Sequence, residues 1–136
     1  EMITLETAKK LKEAGFPQKN KEYYYYQSYN NKDIAWLSHH SLQDKCDAIE
    51  VYRDGLYDEP IKLYAVPTLE ELLAEMPDTI GNIYKFHLIK LSDKYITTYL
   101  DKNFNAWKFE YESQRTDPSE AVANLWLKLK QEGLVK

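Results

Sequence analysis

Three groups of residues in this chain have types that could do chemistry. The first is His39 and His40, followed by Cys46 and Asp47, the only gathering of metal-ligand types. Adjacent histidines on a strand point to opposite faces, so without a turn they cannot both hold one ion. No second pair of Cys or His completes a set of four ligands, and His87 is the only other histidine. A Cys–His nucleophile needs a thiolate-stabilising setting and a third, orienting group. Cys46 sits between Lys45 and Asp47, which supplies no clear electropositive pocket. A buried or free thiol is the plainer reading. No metal, no cofactor and no catalytic residue is expected, and the chain reads as a non-enzyme.

The second group is acidic: Asp44, Asp47, Glu50, Asp54, Asp58 and Glu59. A calcium loop needs oxygen ligands at alternate positions before its glycine and a Glu six residues after it. Around Gly55, Tyr52 and Arg53 stand where ligands belong, and Ile61 replaces the Glu. A solvated acidic surface is expected instead. Phosphate-cradling loops are nearly excluded, since the chain has only four glycines and no Walker or dinucleotide pattern.

The third group is aromatic. The stretch KEYYYYQSYN places Tyr23, Tyr24, Tyr25 and Tyr26 in a row, with Tyr29 close behind. On a strand, Tyr23 and Tyr25 face one way and Tyr24 and Tyr26 the other. Ordinary strand packing is the first reading. A protein interface is the second, since tyrosine is enriched there. Base stacking is the third; it calls for a basic groove, and only Lys19, Lys21 and Lys32 are near. The five tyrosines are the candidate binding surface.

Charge bears on these readings. The formal net charge is −4, and residues 23–100 carry seven basic against twelve acidic groups. Such a segment repels phosphate backbones, which disfavours nucleic acid as a partner. Length and composition predict one α+β domain over residues 1–136: 43% of residues are apolar and 14% aromatic. No apolar run approaches the roughly 20 residues of a membrane span. A single cysteine fits a reducing cytoplasm. Glu1 precedes Met2, which reads as the natural start, and no signal pattern follows it.

Three helices are marked by their ends. In TLETAKKLKEAGFP, Thr4 caps the start, and Gly15 ends the helix with Leu11 and Phe16 at the positions that meet in a Schellman motif. In PTLEELLAEMP, Thr68 and Glu71 have capping-box spacing, and Leu69, Leu72, Leu73 and Met76 form a stripe that Pro77 ends. In DPSEAVANLWLKLKQEGLV, Asp117 and Glu120 repeat the capping box, with Pro118 at the first helical position. Val122, Leu125, Trp126 and Leu129 make its stripe, and Gly133 stops it, setting Leu134 against Leu129.

IYKFHLIKL and KYITTYL flank a two-residue loop, Ser92-Asp93, and AWKFEYE follows with strict alternation, predicting a three-stranded meander. YYYYQSY and DIAWLS pair around NNK. Residues 48–53 and 61–65 read as strands, although 42–56 also fits a helical period. The expected architecture is an antiparallel sheet of about five or six strands with three helices mainly on one face. The last helix, 118–132, should lie on the meander, with Trp126 near Trp107 or Phe109.

The blocks TLETAKKLKEAGFPQ, YAVPTLEELLAEMP and DPSEAVANLWLKLKQEG resemble a group of small bacteriophage and prophage proteins of uncharacterised function. The likeness covers about a third of the chain and departs from the pattern at YAVPT, where YAPT is expected. It implies a phage or prophage origin and action in the cytoplasm of a bacterial host. It brings no catalytic residues, because all three blocks are helix stripes and caps. The functional expectation is an accessory protein, a non-enzymatic protein-binding or structural module, with an unknown partner or a second copy of itself. The alternative is a single-stranded nucleic-acid-binding protein using a tyrosine-bearing sheet.

Overall fold

The computed structural model describes residues 3–19, 21, 23–28, 35–39, 50–52, 60–114 and 117–135. Among these, three helices and eight strands give the α+β class that patterning predicts. The strands form two antiparallel sheets of four, not one sheet of five or six. The difference lies in long-range pairing. The pairings of β1 with β2, of β3 with β4 and along the meander β6-β7-β8 are local and legible in the sequence, whereas which hairpin joins which is not. Contacts divide the chain into two compact units, Thr4–Thr68 and Leu69–Lys136 with Glu1–Ile3, each holding one sheet. The three helices are likewise shared between the units rather than laid on one face.

In the first unit, α1 (Leu5–Glu13) is followed by β1 (Tyr23–Ser28), β2 (Ala35–His39), β3 (Glu50–Tyr52) and β4 (Pro60–Ala65). The sheet order is β2-β1-β4-β3, so β1 is an interior strand. The strands expected at 48–53 and 61–65 are there as β3 and β4, antiparallel to each other; residues 48, 49 and 53 lie outside the described residues. Thr4 caps α1 by accepting the Thr7 N–H at 3.2 Å. At the other end Gly15 takes φ 92°, a left-handed conformation that costs glycine little. The Phe16 N–H then reaches the Leu11 carbonyl at 2.9 Å and the Gly15 N–H reaches Lys12 at 3.1 Å. These are the two bonds of a Schellman motif.

In the second unit, α2 (Leu69–Ala74) is followed by β5 (Thr79–Ile80), β6 (Tyr84–Lys90), β7 (Lys94–Leu100), β8 (Ala106–Gln114) and α3 (Ser119–Gln131). The order β5-β6-β7-β8 contains the expected meander, extended at its edge by β5. Tyr84, Phe86, Leu88, Tyr95, Thr97, Tyr99, Trp107, Phe109 and Tyr111 share one face by register. Tyr99 lies edge-on to Phe86, with ring centroids 5.5 Å apart, and to Trp107 at 6.2 Å. Against this face lies α3, as its apolar stripe demands, with Val122, Leu125, Trp126 and Leu129 buried. Lys128 sets its Nζ 4.4 Å from the centre of the Phe109 ring. Burying Trp126 alone contributes roughly 3 kcal/mol. α2 packs on α3 through its stripe, where Leu72 is fully buried.

Asp117 caps α3 by accepting the Ser119 N–H at 3.1 Å. Gly133, at φ 78°, repeats the closing device of α1: the Leu134 N–H reaches Leu129 at 2.8 Å. The Leu134 side chain itself stays exposed.

Candidate functional site

The tyrosine row is the first surface to place. Tyr24 is the register partner of Ser38 on β2 and of Ala65 on β4, and it packs with Ala65. It is wholly buried. Its hydroxyl donates to the Gln18 carbonyl at 3.1 Å and accepts the Lys21 N–H at 3.2 Å. Gln18 in turn accepts the Ala65 N–H at 2.8 Å through its side-chain oxygen. Tyr24 is thus a satisfied core residue, which corrects its assignment to a binding surface: its face of β1 packs with Ala65 in the core, whereas its neighbours Tyr23 and Tyr25 face the other way. Tyr25 shares the opposite face with its register partner Tyr64. Lys12 and Lys9 of α1 stand 5.2 and 5.7 Å from the centre of the Tyr64 ring. Burial, with the Glu13 charge adding to it, raises the Tyr64 phenol above its ordinary value. Tyr23 and Tyr25 are half-buried. The Tyr26 side chain and Tyr29 lie outside the described residues.

His39 closes β2, while His40, Cys46 and Asp47 lie outside the described residues, as do Asp44, Asp54, Asp58 and Glu59. Among the described residues, no three His, Cys, Asp or Glu side chains gather closely enough to hold a metal ion. His87 is a half-buried strand residue of β6 whose carbonyl accepts the Thr97 hydroxyl at 3.2 Å.

A different place in the second unit has the geometry of a binding site. Two turns lie side by side at one end of the meander. The first links β5 to β6. Gly81 and Asn82 both hold left-handed φ, 61° and 60°, and the Ile83 N–H closes the turn on the Ile80 carbonyl at 3.1 Å. This is a type I′ turn, whose twist suits a hairpin. It leaves Ile83 62% exposed.

The second turn links β7 to β8 and is organised by one carboxylate. Asp101 Oδ1 accepts the N–H groups of Asn103 and Asn105, both at 2.9 Å, and Oδ2 takes the Asn105 amide at 3.4 Å. The Asn105 N–H foremost, then the Asn103 N–H, the Asn105 side chain and the Lys102 charge, hold the Asp101 carboxyl below its ordinary value. The Phe104 N–H bonds the Asp101 carbonyl at 2.9 Å, and the Asp101 N–H bonds the Asn105 carbonyl at 3.0 Å. Phe104 then falls where three-residue hairpin loops want a glycine: its φ is 63°. For a bulky side chain this conformation costs about 1–2 kcal/mol. The ring gains no burial in return, for Phe104 is 76% exposed.

Between the turns opens a pocket of about 490 Å³, walled by Ile83 and Lys85 on one side and by Leu100, Lys102 and Phe104 on the other. Lys85 and Leu100 are register partners, so the pocket lies on the sheet face opposite the one carrying Tyr99. Ile83, Leu100 and Phe104 give it apolar wall, and Lys85 and Lys102 also line it. Such a hollow suits an apolar group held in orientation by a few polar contacts. Sequence reasoning missed it. The Gly81-Asn82 pair between Ile80 and Ile83 is a legible hairpin signal. Nothing in Phe104 itself announces a left-handed residue.

The fold and this pocket define an α+β protein with an apolar, lysine-flanked hollow on one sheet. No protein-family model matches the chain, and neither a curated protein nor a solved structure matches it. Among the described residues, no helix is long and apolar enough to cross a membrane.

Proposed function

We propose that this chain is a non-enzymatic accessory protein that acts by binding another protein, with Ile83 and Phe104 at the centre of its contact surface. One observation carries the reading: an aromatic side chain is held exposed by a strained backbone position. Strain of this kind is maintained where a surrounding structure enforces it, and such positions cluster at binding sites. Phe104 and Ile83 together offer a partner the apolar anchors on which protein interfaces depend. Among the described side chains of the tyrosine row, Tyr23 and Tyr25 offer area to a partner. The resemblance to small phage and prophage proteins supports an origin in a bacteriophage or prophage and a place of action in the bacterial cytoplasm.

The test is quantitative capture from the bacterial host with three baits: wild type, Phe104→Gly and Ile83→Ser. A partner held by wild type should be lost from both variants while each remains folded by circular dichroism. Self-association is the same reading with a second copy as partner, and sedimentation of the three proteins reads it. A strict monomer with equal capture by all three baits would sink the proposal.

A further inference from the structure

The pocket beside Phe104 also restricts what the partner can be. Its charges are unequal in availability. Asp101 is its one acidic wall residue; it keeps its negative charge, but its oxygens already accept the N–H groups of its own loop, so two lysine charges stand against one carboxylate. Lys85 stands exposed on β6, and among the described residues no ion pair holds it. Lys102 is exposed on the neighbouring turn. The hollow is therefore lined by two lysines and one carboxylate around Ile83, Leu100 and Phe104, an excess of one positive charge. This runs against the chain as a whole, whose formal net charge is −4. A basic rim on an acidic protein selects by sign: it attracts an acidic segment that the net charge of the chain otherwise disfavours.

We infer that the pocket takes an acidic segment of a partner protein, one that inserts a bulky apolar side chain while its Asp or Glu residues meet Lys85 and Lys102. A protein segment fits better than a small amphipathic acid because of the rim. Ile83 and Phe104 stand 62% and 76% exposed, and a small ligand inside the hollow would cover only the sides of them that face it. A partner's surface covers them. This inference rests on the protein-binding reading and adds to it the chemistry of the partner.

The experiment pans a displayed library of random peptides against the full chain as wild type, Phe104→Gly and Lys85→Gln/Lys102→Gln. Phe104→Gly places glycine at a left-handed position, so it keeps the loop folded. Peptides kept by wild type and lost by Phe104→Gly are then titrated by fluorescence anisotropy at low and high salt. These peptides should carry Asp or Glu beside an aromatic or large aliphatic residue. The double lysine variant should bind them about fivefold more weakly, two exposed ion pairs being worth about 1 kcal/mol together. Twins with Asn and Gln in place of the acids should bind both proteins alike.

Phe104-dependent peptides that are neutral or basic would overturn the acidic partner and leave protein binding standing. No Phe104-dependent peptide at all would overturn both. A decanoate arm separates the remaining occupant. Tight binding of decanoate that the lysine variant abolishes, with no peptide selected, would assign the pocket to small amphipathic acids and overturn the inference.

Discussion

Phe104 sets a cost against a use at a single residue. Its φ of 63° is a conformation that glycine adopts freely and a bulky residue does not. Replacing it with glycine should raise stability by about 1 kcal/mol, read as a higher urea midpoint with an unchanged slope. The same change should remove partner capture. A variant that grows more stable as it loses binding is what a strained contact residue predicts; a less stable Phe104→Gly would show that the ring supports the loop after all. Tyr99 makes the opposite case, a polar atom buried for structure. It is fully buried, and its hydroxyl donates to the Pro77 carbonyl at 2.7 Å. Burial, with the Asp78 charge adding, raises its phenol far above the ordinary value. The folded state therefore keeps this proton where the unfolded chain has lost it. The resulting stabilisation is whole below about pH 10 and falls as the pH climbs from there toward the folded value. Tyr99→Phe should cost about 1 kcal/mol at neutral pH through the lost hydrogen bond. It should then lose less further stability than wild type between about pH 9 and 11, as equilibrium unfolding at each pH will read.

The helices are secured by their ends, and those ends are local chemistry. Gly133 holds φ 78°, yet nothing lies within 4 Å of where a Cβ would stand. Any cost of Gly133→Ala is therefore conformational alone. It should be about 1 kcal/mol, a fall in Tm of about 3–4 °C for a chain of this size, measured by calorimetry. D-alanine introduced at the same position by ligation should cost nothing, because its mirror-image preference matches that φ. Equal losses from both would mean that packing, not φ, is at stake. At the strands, chain order explains which reading succeeded. The Ser92-Asp93 loop joins β6 to β7 with the Leu91 N–H on the Lys94 carbonyl at 2.8 Å, as the spacing of apolar residues predicts. The β1–β4 pairing spans the whole of β2 and β3 and has no such local mark.

Over the whole molecule, charge and burial act together against phosphate. The chain carries a net charge of −4, and Tyr24, within the row that would have to stack on bases, is closed inside a core. A labelled single-stranded oligonucleotide should show no change in anisotropy on titration at low salt. Salt-sensitive binding that Tyr23→Ala and Tyr25→Ala weaken would restore the nucleic-acid reading. Much of the molecule was written in short-range pattern. The caps at Thr4 and Asp117, the stops at Gly15 and Gly133, the meander and the α+β class all follow from residues within a few positions of one another. Backbone hydrogen-bonding and φ preferences act over that range, so sequence alone determined them. The partition into two sheets, the burial of Tyr24 against Ala65, and the pairing of two distant turns into one hollow were decided only by tertiary structure. Each depends on which distant segments come together, and the side chains involved have the same local propensities wherever they end up.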